Sequence, residues 1–119
     1  MDPEGITYLK RAFDVKDVTS ETKVRFVKWY IKFGNRYASL ERVAYEANIT
    51  DRKIHRLFDE LVSAKLMEEN VDENTRTPVP DTFEHPNLGL IKTPGYRFED
   101  KYFEILKDEG VFKEILRET

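Results

Sequence analysis

The chain contains no cysteine, and only five glycines and five prolines among its 119 residues. Without cysteine there is no disulfide framework and no thiolate metal site, so an intracellular protein is the expectation. Single, scattered glycines leave no loop that could cradle a phosphate, and there is neither a His-Glu-x-x-His pair nor a serine set in a nucleophile elbow. No apolar run approaches the roughly 20 residues of a transmembrane helix. The opening Met1-Asp2-Pro3-Glu4-Gly5 lacks the basic and apolar blocks of a signal peptide. These absences point away from an enzyme, a secreted chain, a membrane-inserted chain and a zinc ribbon, and imply no cofactor and no metal.

Charge is what the sequence has in abundance. Charged residues make up 36% and hydrophobic residues 39%, enough of the latter for one core and one domain spanning residues 1–119. The net charge of −3 conceals an uneven distribution. Residues 22–58 hold nine basic side chains (Lys23, Arg25, Lys28, Lys32, Arg36, Arg42, Arg52, Lys53, Arg56) against Glu41, Glu46 and Asp51, a net of +6. Residues 1–21 have three basic against five acidic side chains, and residues 59–119 eight against fifteen. Screening confines charge effects to about 10 Å, so a polyanion would meet the basic middle rather than the acidic total.

Periodicity predicts several helices and a small β element. Ile6, Leu9 and Phe13 mark a short helix with Asp2 as cap and Pro3 in its first turn, weakened by Gly5. After a polar connection, Ser20 is the expected cap of a long helix ending near Phe33 at Gly34-Asn35. Val24, Val27 and Ile31 line its expected inner face, beside Phe26, Trp29, Tyr30 and Phe33, whose spacing reads as core or dimer contact. Ser39 caps a helix bearing Leu40, Val43, Ala44 and Ala47, and Thr50 one bearing Ile54, Leu57, Phe58, Leu61 and Val62. Leu66–Val71 reads as a strand with a partner at Tyr96-Arg97-Phe98, starting as early as Leu88. Beyond Asp100 the pattern is helical again.

The stretch from Ser39 to Leu61, with small Ala44 and Ala47 at the crossing, Ile49 in the turn and Thr50 at the next helix start, resembles a helix-turn-helix. Leu61-Val62-Ser63-Ala64-Lys65-Leu66-Met67 resembles the hinge into the wing of prokaryotic and archaeal winged-helix regulators. The resemblance implies a mainly α fold with a small β wing. In this reading residues 1–19 form an N-terminal helix and connection, 20–99 a winged-helix core with a long insert at 72–94, and 100–119 a C-terminal helical extension. Lys65 stands where such proteins usually carry glycine, which implies an altered helix exit.

The implied function is sequence-specific binding of double-stranded DNA by a small cytoplasmic, nucleoid-associated transcriptional regulator. Residues 51–63 would enter a major groove. Arg52, Lys53, His55 and Arg56, with Thr50, are the expected contacts of that helix, and Arg25, Lys28 and Lys32 form a stripe suited to phosphates. Arg76, in the insert, could enter a minor groove, although Asp72, Glu73 and Asp81 flank it. His55 and Asp59 share a helical turn, but a transition-metal site needs three or four ligands, so a solvent-facing histidine is expected. The alternative is a winged helix that contacts a protein partner within a replication, repair or transcription assembly. A homodimer is expected, joined by two apolar rows: Ile6, Leu9 and Phe13, and Phe103, Leu106, Phe112, Ile115 and Leu116. With Pro78, Pro80, Pro86 and Pro94, the insert is expected to be a loop with a mobile tip near Glu73–Pro80 and its Phe83, Leu88, Leu90 and Ile91 packed on the body.

Overall fold

Asp2 begins the first helix by accepting the Gly5 N–H at 3.0 Å, and Pro3 presets the turn of α1 (Pro3–Phe13). The computed structural model describes residues 2–117. Gly5 is a close-packing point rather than a weakness: a Cβ there would come within 2.9 Å of Ile105. Leu9, Ala12 and Phe13 of α1 are buried, and Phe13 meets Phe112 edge to face at 5.8 Å. Phe112 belongs to α6 (Glu109–Leu116), which follows α5 (Asp100–Leu106). Leu9, Phe13, Phe103, Leu106, Phe112 and Ile115 are all buried within the one chain. The two terminal rows therefore cover each other, and the dimer contact expected of them is corrected to an internal one. Burying them intramolecularly needs no second chain and avoids the entropy of association.

Thr19, not Ser20, caps α2 (Ser20–Lys32), its hydroxyl accepting the Thr22 N–H at 3.2 Å. The inward face of α2 is Phe26, Val27, Trp29 and Tyr30, whereas Ile31 is exposed. The larger rings take the core because they remove more apolar area from water. Tyr30 donates to the Tyr96 carbonyl at 2.8 Å, and burial raises its phenol well above the usual range. After Gly34 (φ 71°), Asn35 also turns left-handed (φ 56°). Its buried amide then grips Phe98 at both backbone groups, donating to the carbonyl at 2.8 Å and accepting the N–H at 3.0 Å.

Ser39 caps α3 (Leu40–Glu46) by accepting the Arg42 N–H at 3.1 Å. A turn through Asn48 (φ 56°) leads to α4 (Ile54–Ser63), which starts later than Thr50 would set it. Thr50 makes no cap; Asp51 instead accepts the Lys53 N–H at 2.9 Å and holds a preceding turn. Ile54, Leu57 and Leu61 are buried. Lys65 itself takes φ 63°, so the helix exits as glycine would allow, at the expense of backbone strain.

The strand after it, β1 (Met67–Glu69), pairs antiparallel with β4 (Tyr96–Phe98), Met67 opposite Phe98. Ala38 bridges the other side of Tyr96 through two backbone bonds of 2.9 and 2.8 Å. Between β1 and β4 the insert is ordered as a ribbon: β2 (Pro80–His85) pairs with β3 (Gly89–Pro94). The expectation of a loop fails because the prolines sit where no ladder donor is needed. Pro80 lies opposite Pro94 at the base, and Pro86 is in the turn. Asp72 organises the segment expected to be a mobile tip, accepting the Asn74 and Thr75 N–H groups at 2.8 and 3.1 Å. Phe83 is buried, but Leu88 and Leu90 are 72% and 67% exposed, so the expected packing holds for only part of the apolar set.

Candidate nucleic-acid interface

The outer face of α4 and of the turn before it is what the buried set Ile54, Leu57 and Leu61 leaves free. Thr50, Arg52, Lys53, His55 and Arg56 are all exposed there. The polar side chains of Arg52 and Lys53 have no carboxylate partner among the described residues, and His55 is equally unengaged. Arg56 is different. It pairs with Asp17 in the connection between α1 and α2, an ion pair that stays solvent-accessible on both sides.

Arg25 is also engaged. It pairs with Glu21 at 3.0 Å and donates to the Ala47 and Asn48 carbonyls at 3.3 and 3.4 Å. These are orphan acceptors at the end of α3, so Arg25 ties α2 to the turn between α3 and α4. From that anchor, Lys28 and Lys32 continue along the exposed side of α2, with Arg36 just beyond. None of the three has a carboxylate partner among the described residues; Lys32 lies 5.4 Å from the Phe33 ring. Lys28, Lys32 and Arg36 along and just beyond α2, and Arg52 and Lys53 just before α4, are thus exposed cations without a carboxylate partner among the described residues. Arg76 lies elsewhere, exposed at φ 58° in the turn that Asp72 holds.

Arg42 does not belong to this surface. Its guanidinium donates to both carboxylate oxygens of Asp81 at 2.8 and 2.9 Å and to the Thr82 carbonyl at 2.7 Å, and stacks 5.2 Å from the Phe83 ring. Asp81 also accepts the Ser39 N–H and hydroxyl at 2.9 and 3.1 Å. Burial pushes the Asp81 carboxyl up, but Arg42 and Ser39 together more than reverse this, leaving it below the usual carboxylate range. The network fastens the β2–β3 ribbon to α3. Thr93 to Glu41 at 3.0 Å and the Tyr45–His85 ring contact at 4.8 Å extend it. No local pattern announces it, because Arg42 and Asp81 are far apart in sequence.

Phe26 and Tyr30 have no exposed surface and Trp29 almost none, its indole N–H donating to Glu46 at 2.9 Å, so none of the three is available to stack on bases. A cavity of about 480 Å³ is lined by α1, its connection to α2, Lys23 and α6, and takes no residue from α3 or α4. Comparison with protein-family models, with curated proteins and with solved structures finds no match to this chain.

Proposed function

We propose that the chain is a winged helix-turn-helix protein that binds double-stranded DNA, with α3 and α4 as the helix pair and the β1–β4 ladder, with its ribbon insert, as the wing. The observation that carries this reading is that Arg52 and Lys53, just before α4, are exposed without a carboxylate partner among the described residues, while Arg25 ties the basic stripe of α2 to the α3–α4 turn. Exposed cations at the start of a helix suit the phosphate rows that border a groove. Arg52 and Lys53, at the start of α4, would reach base edges or groove-edge phosphates. Thr50 and His55 would add hydrogen bonds, and Lys28, Lys32 and Arg36 would hold the backbone. Arg25 acts through the α3–α4 turn, and Arg56 joins once it leaves Asp17. The role that goes with this reading is regulation of transcription by a homodimer reading paired half-sites.

The test is fluorescence anisotropy on a short duplex pool. Neutralising about five phosphates predicts a fall in affinity of roughly two to three orders of magnitude between 50 and 200 mM salt. Arg52→Ala should weaken binding by about 1–3 kcal/mol without loss of fold. Absence of duplex binding at low salt by the folded protein would overturn the reading. A second reading, contact with a protein partner, is favoured by one observation, the exposed Leu88 and Leu90 of the ribbon.

A further inference from the structure

The two edges of the β2–β3 ribbon differ in one contact: Arg42 holds the Thr82 carbonyl on the β2 edge, and the β3 edge has no such hold among the described residues. Pro80 lies opposite Pro94 and neither has an N–H to donate, so this pair does not exchange hydrogen bonds. Antiparallel ladders alternate between bonded and non-bonded pairs. Thr82–Lys92 and Glu84–Leu90 are therefore non-bonded pairs too, with their amide groups turned outward. On the β2 side, the Thr82 carbonyl accepts from Arg42, in agreement with that alternation. On the β3 side, the outward N–H and C=O groups of Leu90 and Lys92 meet no partner among the described residues. Side chains alternate as well. Phe83 faces α3, which places Thr82, Glu84, Leu90 and Lys92 on the opposite face. A bare strand edge beside a 67% exposed leucine is a pairing surface.

We propose that β3 pairs antiparallel with β3 of a second copy of this chain, about a two-fold axis at Ile91, joining two ribbons into one four-stranded sheet. In that register Leu90 of each copy exchanges both backbone bonds with Lys92 of the other, and the two Ile91 residues form the central non-bonded pair. Across the outer face the order becomes Glu84, Leu90, Lys92 of the second copy, Thr82 of the second copy. Each leucine then lies between a carboxylate and an ammonium, and the same holds in the other half. The strand is complementary to itself in hydrogen bonds, apolar contact and charge, as an isologous contact requires. That self-complementarity favours a second copy over an unrelated strand. The terminal apolar rows are used inside each chain, and Leu88 and Leu90 of the ribbon are more exposed than the other exposed large apolar side chains among the described residues. The inference rests on the ribbon alone and is independent of DNA binding.

The test uses the full chain in sedimentation velocity from about 5 to about 500 micromolar, the range suited to a small interface. Wild type should shift from monomer to dimer. Leu90→Asp and Lys92→Pro should each raise the dissociation constant at least about tenfold. Proline at 92 removes only an outward donor, and an unchanged circular dichroism spectrum reports that the fold is kept. Glu84→Lys and Lys92→Glu should each weaken the dimer by a few-fold at low salt, and an equimolar mixture of the two should restore it. Because the chain has no cysteine, Ile91→Cys adds a single thiol at a pair with a Cα separation of about 4.5 Å, within disulfide reach. Mild oxidation should cross-link it far faster than Leu88→Cys. A wild type that stays monomeric throughout overturns the proposal. So does a dimer indifferent to Leu90→Asp and Lys92→Pro in the folded variants.

Discussion

The β1–β4 and β2–β3 ladders are both antiparallel and meet at Pro94 to Tyr96, yet they are fastened to the body by different chemistry. The β1–β4 ladder is gripped by the neutral amide of Asn35, by the Tyr30 hydroxyl and by the Ala38 bridge. The β2–β3 ladder is gripped by the charges of Arg42 and Asp81. Glu68 and Arg97, 2.6 Å apart, also form an ion pair, but it links β1 to β4 and not the ladder to the helices. A neutral clamp works at any pH. An ionic one depends on the protonation of a single carboxylate.

Breaking the neutral clamp should have the largest effect. Asn35→Ala removes two buried hydrogen bonds and asks alanine for φ 56°, a loss of about 3 kcal/mol in urea unfolding. Asn35→Gly keeps the backbone permissive and should lose about 2 kcal/mol, isolating the amide's share. Breaking the ionic clamp should be smaller and local. Asp81→Ala leaves Arg42 and the Ser39 N–H without their acceptor, at about 2 kcal/mol. Hydrogen exchange should rise over residues 80–94 while β1 and β4 remain protected.

Acid sharpens the comparison without a mutation. The folded Asp81 carboxyl titrates below its unfolded counterpart, so its stabilisation is complete above the unfolded value near pH 4 and is lost as pH falls through the lower folded one. Exchange protection of the β2–β3 ribbon should therefore fall in that acid window before that of β1–β4. Asp81→Asn should remove this component of the pH dependence. The smallest effect belongs to the exit from α4: Lys65→Gly relieves φ 63° and should stabilise the fold by about 1 kcal/mol, raising the melting midpoint by roughly 4 °C.

What could be read from the sequence follows the same division. The caps at Asp2 and Ser39 and the left-handed stop at Gly34-Asn35 act within a few residues of themselves, and the structure places each where local rules put it. The pairing of Met67–Glu69 with Tyr96–Phe98 was legible because each short extended segment carries apolar residues beside polar ones between turn-forming stretches. The ribbon was not, because Pro80 and Pro94 read as breakers until their mutual register is known. Thr19 displaced Ser20 by a single residue of backbone geometry, and α4 starts at Ile54 with no side-chain cap, after a turn held by Asp51, shifts that spacing cannot resolve. At the candidate interface, the exposure of Arg52, Lys53 and His55 followed from the apolar set of α4. The engagement of Arg56 by Asp17 and of Arg25 by α3 carbonyls did not, since both partners arrive through tertiary structure.

The Arg56–Asp17 contact makes that arginine an exchange site. Any anion that takes Arg56 must displace a carboxylate tethered beside it, whose effective concentration is on the order of millimolar or more. An isolated ion at lower concentration competes poorly. An array of phosphates that already holds neighbouring cations competes on equal terms, because its next charge is tethered too. Arg56 thus behaves as a threshold contact, closed to single anions and open to a polymer of them.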